Sequence, residues 1–251
     1  MSGSGSSPIV IVAMGGHAFM QKGEAGTIEE HERNAVNIAE VLMTLVDSGY
    51  HLVVTHGNGP QVGNLLLQNE QSKDDVPQMP LDVLVGMTEG SLGYILQQSL
   101  LNQLRKRDIR RYVVTVVTQV LVQENDPAFR TPTKPIGPFL DRAEAERREK
   151  EMGWQIVEQK GRGWRRLVAS PQPIKVIQRH MIRDAARAGH VVVACGGGGI
   201  PIFEKADGQY AGIEAVIDKD LTSSVLGANI GAALLIILTA VPPVSVNFGP
   251  P

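Results

Sequence analysis

The chain has 251 residues, 43% of them hydrophobic but only 4% aromatic, which excludes a disordered chain and points to a core built mainly from Val, Ile, Leu and Ala. Lys and Arg number 24 against 26 Asp and Glu, and the net charge of -2 excludes a chain-wide basic field for nucleic acid or an anionic membrane, though not a local phosphate pocket. The single cysteine, Cys195, excludes an intramolecular disulfide scaffold and a multi-cysteine zinc site.

The opening MSGSGSS has no basic n-region or long apolar run, so no secretory signal is expected, and residues 1–7 are set aside as a disordered tail or tag. PIVIVAM at 8–14 reads as a strand ending at the pair Gly15-Gly16. From Thr27 to Ser48, Ile28, Ala35, Ile38, Ala39, Leu42, Leu45 and Val46 recur at helical steps, with Gly49 as a stop. HLVVTHG at 51–57 is the next strand, and NGPQVGNLLLQ opens another helix. SLGYILQQSLLNQLRKR at 91–107 predicts a helix with a basic last turn, which suits the negative end of the helix dipole. RYVVTVVTQVLV at 111–122 predicts a long or bent strand.

The texture changes at 123–165. Prolines at 127, 132, 135 and 138 exclude a simple central strand, and DRAEAERREKEMGW predicts a short solvent-facing helix at 141–152. This stretch reads as an inserted subdomain or lid between a first core segment (8–122) and its continuation (166–251). Short strands are expected at 166–170, 190–196 and 233–239, with helices at 176–189 and 221–232. Strands apolar on both faces, alternating with helices, predict an α/β fold with a buried, mostly parallel sheet. The longest apolar run, AALLIIL at 232–238, is far below the roughly 20 residues of a membrane span, so a soluble cytoplasmic protein is expected.

Three glycine-bearing turns follow three strands: MGGHAF at 14–19, THGNGPQVG at 55–63 and ACGGGGIP at 194–201. In an open α/β sheet such turns converge on a crevice at the carboxyl ends of the strands. There, bare backbone N–H groups and helix N-termini suit an anion. None matches the P-loop or the dinucleotide fingerprint. Lys134 in TPTKP, held between prolines, and Lys219 in VIDKD, between Asp218 and Asp220, supply the positive charge that a transferring phosphoryl group needs. His17 and His56 each read equally as site groups or as satisfied structural histidines. The histidines form no HExxH pattern, so zinc catalysis is not expected. Cys195 reads as a buried residue at a strand end rather than a nucleophile, and RGWRR at 162–166 as either a basic turn or a closure over phosphate.

The ordered set MGGHAF, THGNGPQVG, NDPAFRTPTKPIGPF, GRGWRRLVASPQP, CGGGGIP and GIEAVIDKDL resembles carbamate kinase, of the amino-acid kinase superfamily, over residues 8 to 249. The resemblance implies a three-layer α/β/α sandwich with a small protruding subdomain, assembled as a homodimer. It implies reversible phosphoryl transfer between ATP and carbamate with Mg²⁺, giving ADP and carbamoyl phosphate, in arginine or purine-derived nitrogen metabolism. Carried onto this chain, Gly15, Gly16, Gly57, Asn58 and Gly59 cradle carbamate and the transferring phosphate. Lys134 reaches in from the lid, and Lys219 stabilises the phosphoryl oxygens. Asp218 or Asp220 orients the lysines or acts through Mg²⁺, and Asp220 is favoured as the acid organising the catalytic lysines. Gly197 and Gly198 lie towards the nucleotide, and no residue is assigned as a direct metal ligand.

Two departures stand out. The family's GGNA motif has asparagine where this chain has His17, and imidazole differs from an amide in shape and titration. The family's LTDV-like strand reads LTAV at 238–241, putting Ala240 at the usual Asp position, and a following GSMxxK segment with another phosphate-binding lysine has no counterpart before Pro251. Some apolar sheet surface is therefore expected to be exposed. Two further readings stay open from sequence: a family-derived anion- or nucleotide-binding regulator without efficient turnover, and a transferase or hydrolase acting on another carbamoyl compound.

Overall fold

The structure, a computed structural model, describes residues 7–21 and 23–238. Its first half runs β1 (Ile9–Met14), α1 (Ile28–Asp47), β2 (His51–His56), α2 (Gly59–Gln71), α3 (Leu81–Lys106), β3 (Val113–Thr115) and β4 (Gln119–Leu121). An excursion follows: β5 (Lys134–Leu140), α4 (Arg142–Met152), β6 (Gln155–Gln159) and β7 (Gly163–Val168). The chain then returns through β8 (Lys175–Val176), α5 (Arg179–Arg187), β9 (Val191–Val193), β10 (Ile200–Glu204), β11 (Tyr210–Gly212), α6 (Lys219–Ile230) and β12 (Leu234–Leu238).

Apolar strands without alternation must bury both faces, and they do. The central sheet has the order β12-β1-β2-β9-β3, every pair parallel, and β1 and β2 are buried along their whole length. Val10, Val12 and Met14 of β1 pack with Ala35, Ala39, Leu42 and Met43 of α1 and with Leu92, Leu96 and Leu100 of α3. On the other face, Ile9 and Ile11 join Ile182 and Ala186 of α5 and Leu226 and Ile230 of α6. These are the three layers expected. Thr27 caps α1 in a reciprocal capping box with Glu30, and Gly49 stands just past the cap Ser48 with φ of 86°.

The predicted long strand at 111–122 is split. β3 joins the central sheet, whereas β4 joins a second, mixed sheet of order β11-β10-β4-β8. The helix predicted from Ser91 begins ten residues earlier, at Leu81, because Gly86 and Gly90 interrupt its apolar pattern without breaking it; Pro80 is its N-cap and Asp82 lies in its first turn. The helices predicted at 176–189 and 221–232 run over 179–187 and 219–230. β12 lies at the sheet edge among the described residues, with Leu234, Ile237 and Leu238 exposed. Ala240 and most of the N-terminal tail lie outside the described residues.

The excursion is a three-stranded antiparallel sheet, β5-β7-β6, with α4 beside it. Pro135 and Pro138 sit in β5, an edge strand whose register breaks between Ile136 and Leu140, which is where a sheet tolerates proline. The strand expected at 166–170 is β7, which runs from Gly163 to Val168 within this lid and crosses the expected boundary at 165.

Candidate active site

The parallel strands end together, and their turns form the rim of one cleft. Beta1 leads into a 3-10 turn at Gly16–Ala18, β2 into the start of α2 at Asn58 and Gly59, and β9 into a glycine turn at Gly196–Gly198. Alpha6 starts beside them, with Asp218 as its N-cap accepting the Asp220 and Leu221 N–H groups at 2.9 and 3.3 Å. The lid covers this rim. The resulting cleft, about 170 Å³, is lined by Gly16, His17, Gly57, Asn58, Gly59 and Gly197 from the turns. Asp218, Lys219 and Asp220 line it from α6, and Lys134 and Arg165 from the lid.

Glycine is required where the turns meet. A Cβ on Gly57 would stand 3.0 Å from the Gly16 backbone nitrogen, and one on Gly197, whose φ is 68°, only 2.2 Å from Asn58 Nδ2. Of the residues expected at the site, Gly15 and Gly198 do not line the cleft. Gly15 caps the 3-10 turn, and the Gly198 carbonyl accepts the Thr222 hydroxyl at 2.8 Å behind the rim.

The charges are arranged as paired cations and one cation without a carboxylate. Lys134 Nζ donates to Asp218 Oδ2 at 2.9 Å, across the lid-to-core boundary, and Lys219 Nζ donates to Asp220. Both acids thus hold a lysine, Asp218 the one from the lid and Asp220 its own neighbour on α6. Burial opposes ionisation of Asp218, yet Lys134 and the two backbone donors outweigh it and hold its carboxyl below the ordinary range. Arg165 is buried, gives Nε–H to the Gly137 carbonyl at 2.9 Å and has no carboxylate partner among the described residues. Its Nη2 lies 3.9 Å from where a Cβ of Gly59 would stand, over the N-terminus of α2. Burial, and then the positive charges of Arg165 and Arg162, push His17 down, so its ring is neutral at neutral pH.

The remaining candidates resolve as structural. His56 is buried, edge-on to Phe19, and burial drives its pKa to about 4. Burial, followed by the nearby Glu89 charge, pushes the Cys195 thiol up, which leaves no nucleophilic thiolate. Arg162 stacks on Phe139 at 4.6 Å and does not line the cleft, so of the basic run only Arg165 does. Arg165 was hidden in sequence because Arg162, Arg165 and Arg166 are alike; the strand alternation of β7 was the signal that would have separated them.

The amino acid kinase family matches residues 8–250. The carbamate kinase of Thermococcus kodakarensis is 44% identical over 245 residues, which is 96% of this chain and 78% of the relative. The chain belongs to the amino acid kinase family, with the carbamate kinases. Carbamate kinase from Giardia lamblia bound to citric acid superposes with a TM-score of 0.92 at 36% identity, over 97% of this chain and 78% of that one. The same Giardia enzyme bound to AMP-PNP superposes with a TM-score of 0.83 over 94% and 75%. The α/β/α fold and the kinase class are those of the family.

Phosphoryl transfer from a nucleotide implies Mg²⁺ on the phosphates. Among the described residues no three His, Cys, Asp or Glu side chains gather as a metal cage. Both acids in the cleft are engaged by lysines, although Asp220 uses only Oδ1. This donor set suits a cation carried in on phosphate oxygens and touched by at most one protein carboxylate.

Proposed function

We propose that the chain catalyses reversible phosphoryl transfer between ATP and carbamate, giving ADP and carbamoyl phosphate. The observation that carries this reading is the convergence of Lys134, Lys219 and Arg165 with the glycine turns in one cleft. Carbamate is already an anion, so the protein needs no strong base. Its work is alignment and charge neutralisation.

In this reading the backbone N–H groups around Gly16 and Gly57–Gly59, with Arg165 above them, hold the carbamoyl end and the transferring phosphoryl group. Gly15 and Gly198 support those turns from behind. Lys134 and Lys219 spread positive charge over the phosphoryl oxygens, each kept in place by its aspartate. Neutral His17 contributes a hydrogen bond where the family has an amide. Gly197 faces the nucleotide side. Mg²⁺, when bound, would add positive charge at the nucleotide's phosphate oxygens, with Asp220 the acid best able to touch it. The same reading carries a homodimer, a cytoplasmic setting and a part in arginine-linked nitrogen metabolism. No helix among the described residues is long and apolar enough to cross a membrane.

The test is ATP formation from ADP, Mg²⁺ and carbamoyl phosphate by protein of verified intact mass. Removing either lysine as Lys134→Ala or Lys219→Ala is expected to lower kcat by about 100- to 1000-fold. Parental turnover in both variants would remove the assigned site. Ligand binding without ATP formation by the parent would replace the enzyme reading with that of an anion-binding protein.

A further inference from the structure

Thr88 and Glu89 lie in the middle of α3, outside the cleft lining, and are 0% and 1% exposed. A hydroxyl and a carboxyl this deep in a helix are costly unless they are partnered, and apart from Glu89 Oε1, which has no partner among the described residues, their oxygens are engaged. The Thr88 hydroxyl donates to the Val85 carbonyl at 2.7 Å, which leaves its oxygen free to accept, and it accepts Asn58 Nδ2–H at 2.8 Å. Glu89 Oε2 accepts the Thr118 N–H at 2.9 Å, and Thr118 Oγ1 in turn accepts the Cys195 N–H at 3.0 Å. Two successive residues of one helix thus reach the two opposed turns of the cleft, after β2 and after β9.

Asn58 makes this arrangement specific. It occupies the N-cap of α2, where an asparagine side chain ordinarily accepts a backbone N–H of the first turn, yet it makes no such bond. Its amide is turned instead towards Thr88, and in that position it meets Gly197, where a Cβ would lie 2.2 Å from Nδ2. The amide therefore acts as a spacer between the substrate-side turn and the glycine turn, and its rotamer is held from behind by one hydroxyl.

We infer that Thr88 is a positioning residue for phosphoryl transfer: its hydroxyl fixes the Asn58 amide and thereby the separation of the two turns between which the phosphoryl group passes. Glu89 is the matching anchor for the opposite turn, through Thr118. The inference rests on the phosphoryl-transfer reading of the cleft.

Thr88→Val keeps the volume and loses the acceptor. It is expected to lower kcat for ATP formation by about 100-fold, since a misplacement of about 1 Å at a reacting group has that effect, while KM for ADP changes by less than about 3-fold. Thr88→Ser restores the acceptor and is expected to return kcat to within about 3-fold of the parent. A purely structural role would lower the melting temperature of both variants without separating kcat from KM. In a crystal structure of Thr88→Val the Asn58 amide is expected to swing to the vacant α2 cap. Thr88→Ala carries the same expectations should the valine variant fail to fold. Parental kcat in the hydroxyl-less variant overturns the inference, as does an Asn58 rotamer that stays in place. If the parent makes no ATP, the phosphoryl-transfer reading fails first, and the Asn58 rotamer still decides what Thr88 holds.

Discussion

The central sheet and the lid are held by different mixtures of contacts. Between α1, α3 and the sheet the contacts are aliphatic, and Val12, Val54 and Leu96 are essentially excluded from water. In the lid, α4 is mostly charged, and the one tryptophan that is buried, Trp154, packs against two guanidinium groups, Arg148 at 4.8 Å and Arg166 at 4.7 Å. Glu70 of α2 then ties both arginines to the core, at 3.0 and 3.3 Å. Burial raises the Glu70 pKa despite the pull of those arginines, so this clamp is costly to form and its value is geometric rather than stabilising. It docks the lid on the same helix whose N-terminus borders the cleft. A Cβ on Gly63 of α2 would overlap Gly137 of β5, at 1.9 Å, which shows how closely the two surfaces meet. The docking is not polar alone: Ile136 and Val168 of the lid share an aliphatic cluster with Val62 of α2 and Leu84 and Val85 of α3.

The two tryptophans of the chain, Trp154 and Trp164, both lie in the lid, so their fluorescence reports on it while far-ultraviolet circular dichroism reports on the core. The largest expected effect is in the core. Leu96→Ala is expected to destabilise the protein by about 2–5 kcal/mol, and because the lid has no aliphatic core of its own, both signals should move together. A lid transition left unshifted would show that the lid folds independently.

Acid is expected to weaken the core next. His56 titrates at about 4 in the folded chain, below its ordinary value of 6.5. The unfolded chain therefore takes up the proton first, and stability falls as pH drops through that window, by up to about 3 kcal/mol. His51, also lowered by burial and then by Arg111, adds in the same direction. Denaturant unfolding followed by circular dichroism at pH 7 and pH 4 measures the slope, and His56→Gln should flatten it. An unchanged slope would assign the acid sensitivity elsewhere.

For the lid, Glu70→Ala leaves Arg148 with only Glu144 and takes from Arg166 its link to α2, and is expected to weaken docking by about 1–3 kcal/mol. Here fluorescence should shift ahead of circular dichroism; coincident transitions would show that lid and core are one cooperative unit. The smallest expected effect is at Arg165. Arg165→Lys removes the fork that reaches both the Gly137 carbonyl and the α2 N-terminus, and KM for carbamoyl phosphate is expected to rise about 10-fold with little change in melting temperature. An unchanged KM would move Arg165 out of the anion site.

Much of this was legible in the residues. The two-face apolar strands announced a buried parallel sheet, the three glycine turns announced a crevice at its carboxyl end, and the flanking prolines and acids marked Lys134 and Lys219. Less legible were the first ten residues of α3, where glycines dilute the helical period, and with them Thr88 and Glu89. Arg165 was concealed among its neighbours, and the division of labour between Asp218 and Asp220 could not be read from DKD alone.

Periodicity, glycine and proline are local properties, and they determined the elements, the layers and the place where the turns gather. Which lysine meets which aspartate, which arginine of three faces the cleft, and which hydroxyl turns Asn58 away from its own helix were decided only by tertiary structure. Except for the neighbours Lys219 and Asp220, those contacts join residues from different elements: Lys134 and Asp218 are 84 positions apart, and Asn58 and Thr88 are 30. Hydrogen bonds and ion pairs depend on distance and direction in space, and no pattern within one segment carries that information.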